Sequence, residues 1–332
     1  MNYPGKALKI IASGKYLPEK ISSAELEREN PFLPEGYSER NSGVFSRHRA
    51  SFESNGYMGA RAAESALEKA GISLSDIDLL ISAAATFDYP LPSSSSVIKS
   101  EMAGAEQAGF PTLDIDSTCL SFVSAFEVAA KMLDGKQYRN ILIVSSEIAS
   151  KGLNRNDPET FTLFGDAAVA FILTLEEGPS YFAGAWFRSY SEGLACTIIR
   201  GGGNKHHFRD TPYDESLFSF EMKGIQMLKL AQRTLPDFMQ MVLEELSMQL
   251  NDFDAIIPHQ ASKTGLQLFQ RLFRPDEGKL KTNLDRYGNC IAASIPLLLH
   301  DCMENGGIRR GDLCLLFGTS AGFSIGALAF RY

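Results

Sequence analysis

An α/β protein built from a duplicated unit is the fold class this sequence predicts, and three observations predict it. Helical and strand-like periodicities alternate along the chain. The strand-like runs are short, apolar and bounded by polar turns. The second half repeats the order of the first. A largely parallel sheet is expected from the alternation.

The elements follow in order. Residues 58–70, MGARAAESALEKA, have helical spacing and stop at Gly71, and 76–84, DIDLLISAA, form a buried strand. In 113–122, LDIDSTCLSF, Leu113 and Ile115 alternate with Asp114 and Asp116. After Cys119, the apolar residues Phe122, Val123, Phe126, Ala129, Ala130 and Leu133 take helical spacing. ILIVSSE at 141–147 and FGDAAVAFILTL at 164–175 are further strands. Residues from Glu176 to about Pro212 are mixed in character and join the two halves. A long helix is expected near 223–249. NDFDAIIPHQ then parallels LSDIDLLISA, with Asp254 answering Asp78, and IAASIPLLLHDCMENGGIRRGDLCLLFG parallels FVSAFEVAAKMLDGKQYRNILIVSS. By this register Asn289 takes in the second half the place of Cys119 in the first. The halves are 1–176, carrying the cysteine, and 177–332, carrying His259 and Asn289.

Composition bounds the function. The chain of 332 residues is 44% hydrophobic and 22% charged, an ordinary globular balance. A net charge of −8 argues against nucleic acid, which needs a basic surplus, while an acidic carrier protein needs only one local basic patch. The opening residues lack an apolar signal core, and no apolar run reaches the ~18 residues of a membrane span. A cytoplasmic protein without membrane attachment is the expectation. The cysteines, Cys119, Cys196, Cys290, Cys302 and Cys314, are odd in number and form no CxxC pair, which fits neither a disulfide framework nor a zinc site. Adjacent His206 and His207 in GGGNKHHF belong to a surface loop, not a metal site.

Three places carry chemistry. Cys119 stands where strand gives way to helix, against unpaired N–H groups and the positive end of the helix dipole, both of which stabilise a thiolate. Free cysteine also serves simply as a small buried hydrophobe, so partners must decide. His259, in AIIPHQAS, follows an apolar strand whose carboxyl end would face a ligand crevice. It suits proton transfer or donation to an oxyanion, or else a satisfied structural role. Asn289, in DRYGNCIAAS, suits a neutral donor to a carbonyl, or a helix N-cap. The loop LLFGTSAGFSIGA at 315–327 can present backbone N–H groups as an oxyanion hole, and equally is a turn between two terminal strands.

Cysteine at a strand–helix elbow, then PHQA, DRYGN and a glycine-containing loop before the closing strand GFSIGALAFRY, together with FGDAAVAFIL, resemble the β-ketoacyl-ACP synthase III branch of the thiolase superfamily nearly end to end. The resemblance implies a five-layered αβαβα fold made of two duplicated halves, and a homodimer. It implies that Cys119 takes an acyl group from a thioester, and that His259 and Asn289 hold the carbonyl of a malonyl thioester as carbon dioxide leaves. Backbone N–H groups of Cys119 and Ala321 would then cradle the oxyanion. Leu91, Thr319 and Gly322 would contact substrate, with Leu91 at the tip of a loop reaching the partner's acyl tunnel and favouring a chain longer than acetyl. No metal and no bound cofactor are implied; substrates ride on the phosphopantetheine of acyl carrier protein or on coenzyme A. Three departures stand out. Thr319 replaces the usual aromatic residue, YSERNSGVFSRHR replaces a tryptophan-containing segment, and Pro158 stands near the place of an adenine-clamping arginine. The last two favour a carrier-protein donor, for which Lys263, Arg271 and Arg274 would form a basic patch. The alternatives are an acyltransferase or non-decarboxylative acyl–acyl condensing enzyme, a papain-like hydrolase ordered Cys119, His259, Asn289, and an inactive partner subunit.

Overall fold

The computed structural model describes residues 5–30 and 32–332. Strands β1 (Lys6–Ala7) and β2 (Lys9–Tyr16) lead to a ribbon of β3 (Glu19–Ser22) and β4 (Ser46–Arg49), between which lie helices α1 (Ser23–Glu29) and α2 (Tyr37–Asn41). Helix α3 (Asn55–Ala70) opens the regular alternation of β5 (Leu79–Ala83), α4 (Ser94–Ser100), β6 (Thr112–Ile115), α5 (Ser121–Met132), β7 (Asn140–Glu147), α6 (Pro158–Phe161) and β8 (Ala167–Thr174). Then come β9 (Tyr181–Ser189), the short pair β10 (Thr197–Ile198) and β11 (Glu221–Met222), and α7 (Gly224–Leu246). The chain closes with β12 (Ala255–Pro258), α8 (Lys263–Phe273), α9 (Leu284–Tyr287), α10 (Ser294–Glu304), β13 (Leu313–Ser320) and β14 (Ser324–Arg331).

One five-stranded sheet has the order β2-β8-β7-β5-β6 and the other β1-β9-β14-β13-β12. Only β6-β5-β7 and β12-β13 are parallel. The sheets are therefore mixed, not largely parallel, because β7–β8 and β13–β14 run antiparallel. The segment after Glu176 is also more than a connection: it contains β9, which pairs with both β14 and β1. The echo between halves is visible in the order of strands, β9-β14-β13-β12 matching β2-β8-β7-β5. Leu280 makes a single parallel bridge to Ile256, on the edge that β6 occupies in the first sheet.

The layers follow from which faces are apolar. Helix α3 buries Ala60, Ala62, Ala63 and Ala66 against one face of the first sheet. Helices α5 and α10 are buried between the sheets, where Phe122, Phe126, Leu298 and Leu299 meet Phe171 and Phe330. Helices α7 and α8 cover the outer face of the second sheet through Phe238, Val242 and Phe269. This is the five-layered αβαβα arrangement. Lys15 on β2 pairs with Asp301 on α10 at 2.8 Å, and Arg286 reaches the same carboxylate at 3.2 Å.

Small residues set the closest contact of the outer layer. A Cβ on Gly14 would lie 2.4 Å from the Ala62 carbonyl oxygen and 2.4 Å from the Ala66 nitrogen, both backbone atoms of α3. Backbone cannot rotate away as a side chain can. Gly14→Ala is expected to cost ~1–3 kcal/mol by urea denaturation, whereas Gly109→Ala, with nothing within 4 Å of its Cβ, is expected to stay within about 0.5 kcal/mol.

Candidate active site

The turn that carries Cys119 is built by its neighbours. Asp116 Oδ1 accepts from the Thr118 N–H at 2.7 Å, the Ser117 N–H donates to Ser121 Oγ at 2.9 Å, and Ser121 Oγ donates to the Thr118 carbonyl at 2.7 Å. Thr118 is held at φ 51°, a left-handed conformation that a β-branched residue rarely adopts. Cys119 lies in the single 3₁₀ turn Thr118–Leu120 at the head of α5.

The second half repeats this turn and corrects the register read from sequence. Ile291 has φ 50°, its N–H donates to Asn289 Oδ1 at 2.9 Å, and the Cys290 N–H donates to Ser294 Oγ at 2.9 Å. Ile291 thus answers Thr118, Ser294 answers Ser121, and Asn289 answers Asp116. The counterpart of Cys119 is Ala292. Side-chain chemistry suggested the other pairing, but main-chain hydrogen bonds define the turn.

His259 follows β12, its N–H donating to the Phe317 carbonyl at 2.7 Å. The side chain is buried and Nδ1 has no protein partner. Burial pushes the imidazole down to about 4, so it is neutral at pH 7. Gln260 fixes the loop: its Oε1 accepts from Thr282 Oγ1 and from the Asn283 and Leu284 N–H groups, while Nε2 donates to the Pro258 carbonyl. Asn289 is pinned by its N–H on the Leu163 carbonyl at 2.9 Å, and its Nδ2 donates to the Ala261 carbonyl at 3.2 Å. The histidine loop and the asparagine turn are thereby one structure.

The loop after β13 completes the enclosure. A Cβ on Gly318 would lie 2.8 Å from His259 Cβ and 3.4 Å from Leu120 Cδ2. Only glycine lets the histidine loop and the cysteine turn approach so closely. Thr118 Oγ1 donates to the Ala321 carbonyl at 3.5 Å, which ties the loop after β13 to the cysteine turn. Thr319 and Phe323 line, with His259, a cleft of about 400 Å³, whose walls do not include Cys119 or Asn289. Gly322 sits in the turn at φ 74°, away from the cleft wall.

A stabilised thiolate is not what forms at rest. Burial pushes the Cys119 thiol up to about 12, and the charges of Glu147 and Asp116 add to this, against the N–H groups of Ala321 and Cys119 itself. Desolvation outweighs the helix end because the sulfur lies deep among protein atoms, although the residue as a whole is only half-buried.

Glu147 was not among the residues singled out from sequence. It ends β7, is fully buried, and accepts from the Ala85 N–H (2.7 Å), the Thr86 N–H (2.9 Å) and Thr86 Oγ1 (2.5 Å). Burial pushes its carboxyl up to about 7. An acid closing the apolar run ILIVSS was the available signal. Asp166, in FGDAA, is a structural carboxylate: it accepts from the Ala50 N–H, the Ser150 N–H and Ser150 Oγ.

The remaining residues are dispersed. Leu91 is 86% exposed, on a loop with exposed Phe87 and Tyr89, and takes no part in the cleft. Lys263 begins α8 beside the cleft, with Nζ on the Arg40 carbonyl at 3.3 Å. Arg271 is on the last turn of α8, about 12 Å along the helix axis at 1.5 Å per residue, and Arg274 is the left-handed C-cap. The three basic residues form a line along the helix and not one cluster.

Alkylation of Cys119 by iodoacetamide, read by intact mass, is expected to accelerate about tenfold per pH unit from near pH 7 to near pH 10, since thiolate is the nucleophile and the raised pKa leaves it scarce. A plateau below about pH 8 would contradict the high thiol pKa. Glu147→Gln removes a negative charge and is expected to move that profile to lower pH by less than about one unit. Its amide is also a poorer match to the donors, at ~1–3 kcal/mol in stability.

Comparison with known proteins agrees with this geometry. Residues 113–190 match the family model for 3-oxoacyl-[acyl-carrier-protein] synthase III, and residues 243–332 its C-terminal counterpart. The chain is 30% identical over 326 residues to the β-ketoacyl-[acyl-carrier-protein] synthase III of Aquifex aeolicus, covering 98% of this chain and 99% of that protein. It is 31% identical over 326 residues to β-ketoacyl-[acyl-carrier-protein] synthase III 1 of Bacillus anthracis, covering 97% and 98% respectively. The crystal structure of the Aquifex aeolicus synthase superposes with a TM-score of 0.86 at 27% identity, covering 98% of this chain and all of that one. By sequence and by fold, the chain belongs to the β-ketoacyl-[acyl-carrier-protein] synthase III family of condensing enzymes.

Proposed function

We propose that this protein forms a 3-oxoacyl thioester by decarboxylative condensation, with Cys119, His259 and Asn289 as its catalytic residues. In the first stage the Cys119 sulfur attacks an acyl thioester. The new carbon–sulfur bond forms as the carrier's thiol departs with the proton that Cys119 gives up. In the second stage His259 and Asn289 donate to the thioester carbonyl of a malonyl group. Carbon dioxide leaves, its bonding electrons pass into the enolate, and the enolate carbon attacks the acyl-cysteine. The tetrahedral oxygen is held by the N–H groups of Cys119 and Ala321, and collapse returns the sulfur to Cys119.

The observation that carries this reading is the union of the loops. Asn289 Nδ2 is tied to the histidine loop at the Ala261 carbonyl, and Thr118 Oγ1 ties the cysteine turn to the Ala321 carbonyl. A neutral His259 on the wall of the cleft suits donation to an enolate that forms without an external base. Condensation without decarboxylation would need a carboxylate to remove a carbon-bound proton. Glu147, the buried acid nearest in charge to Cys119, is bound to Ala85 and Thr86.

A homodimer suits the edge of the first sheet. Strand β6 pairs on one side only, Leu113 on it is 38% exposed, and the neighbouring loop exposes Phe87, Tyr89 and Leu91. A second copy would cover this apolar loop and place Leu91 against its partner. Among the described residues no helix is long and apolar enough to cross a membrane. Thr319 would lie along the bound thioester. No bound cofactor enters the scheme, because the substrate brings its own pantetheine.

Intact mass after incubation with acyl-carrier and acyl-CoA panels, then malonyl-carrier, tests the scheme. An adduct is expected that needs Cys119 and leaves as a 3-oxoacyl product. In His259→Ala and Asn289→Ala the adduct is expected to form, while condensation falls by about 10²–10³ as a carbonyl donor is lost. An adduct that leaves only as free acid would overturn condensation in favour of hydrolysis.

A further inference from the structure

The walls of the 400 Å³ cleft contain two ionisable side chains of the acidic or basic kind, Glu159 and His259, among the described residues. His259 is neutral. The cleft therefore presents one carboxylate and no cation. Glu159 stands on α6, whose N-cap Asp157 adds a second carboxylate beside it, and Asp157 raises the Glu159 carboxyl along with burial.

The position of Glu159 matters as much as its charge. A Cβ on Gly224 would lie 2.7 Å from Glu159 Oε1. Gly224 is the first residue of the 23-residue helix α7 and also lines the cleft. A helix start that could have faced a ligand phosphate faces a carboxylate of the chain itself. The other helix that begins at the cleft, α8, is closed in the same manner: Ser262 Oγ accepts from the Gly265 N–H at 3.1 Å. Arg40, Lys223 and Lys263 each adjoin a wall residue in the chain without joining the walls. Lys263 rests on the Arg40 carbonyl, and the Arg40 guanidinium donates to the Glu35 carbonyl at 2.8 Å.

We infer that this cleft selects its acyl donor by charge, Glu159 turning away thioesters that carry nucleotide phosphates, so that the acyl group arrives on the phosphopantetheine arm of a carrier protein and not on coenzyme A. The inference rests on the condensing reading of Cys119 and names the donor class for that site. A pantetheine arm is uncharged along the part that enters a cleft. Coenzyme A adds a pyrophosphate and a 3′-phosphate, which meet Glu159 with no compensating cation in the wall. Like charges brought together at a binding site act as a repulsive filter.

The test compares initial rates of Cys119 acylation, by intact mass of the full chain, with acetyl, butyryl and octanoyl thioesters made both of pantetheine and of coenzyme A. At low salt the pantetheine thioester is expected to acylate at least about tenfold faster, with the ratio shrinking as salt screens the charge. Glu159→Gln is expected to narrow the ratio, and Glu159→Lys to bring coenzyme A thioesters level or ahead. Each ratio is internal to one protein sample, so partial misfolding of a variant cancels. Equal rates in the unaltered protein, or a ratio that neither variant moves, would overturn the inference and leave the condensing reading intact. No acylation by any thioester would overturn both.

Discussion

Helices α5 and α10 lie in the layer between the two sheets, and the dehydration of that layer governs the turns at their N-terminal ends. A helix that begins at a surface would leave its first N–H groups to water. Here side chains close the turns that lead into the helices. Asp116, Ser121, Asn289 and Ser294 do so. The left-handed Thr118 and Ile291 are kept because these hydrogen bonds and the surrounding packing over-determine them. Cys119 owes its place to that enclosure.

The same dehydration decides the electrostatics. Three ionisable groups near the turns are moved toward their uncharged forms: Cys119 up to about 12, Glu147 up to about 7 and His259 down to about 4. A resting centre of neutral thiol and neutral imidazole has little with which to attack water or to be attacked. Charge appears when a substrate brings it, as the carboxylate that leaves and the enolate that remains. Fixed N–H donors then act in surroundings of low dielectric, where they stabilise a developing anion more strongly than water does.

How much of this could be read from the chain differs from one element to the next. Helix α3 was legible because its alanines recur at helical spacing and Gly71 takes φ 67° as the C-cap. Cys119, His259 and Asn289 were legible because each stands at an abrupt change of periodicity beside small residues. Strand β9 was not, since YFAGAWFRS shows no alternation of apolar and polar residues and is mostly half-buried or exposed. Nor was the bond partnership of Glu147, whose donors Ala85 and Thr86 are about sixty positions away in the chain. The Cys119 pKa was read with the wrong sign because the sequence reveals the helix end, whereas burial is a property of the assembled layers.

The matched turns also account for how two halves of similar build serve different ends. In both, an Asx side chain at the same place accepts the N–H two residues on, at 2.7 Å in the first half and 2.9 Å in the second. Asp116 can do nothing further but accept. Asn289 performs the same closure with Oδ1 and keeps its amide nitrogen, which reaches the Ala261 carbonyl in the histidine loop and has a second hydrogen to offer. Under the proposed scheme, the difference between acid and amide at one shared position separates a turn that supports a nucleophile from a turn that supplies a donor. Asparagine adds the donor without adding charge, so it sits beside a neutral imidazole at no electrostatic cost. An aspartate there would place an acceptor where a carbonyl oxygen must bind. Duplication provided two equivalent enclosed turns, and the chemistry of the site arises from their inequality.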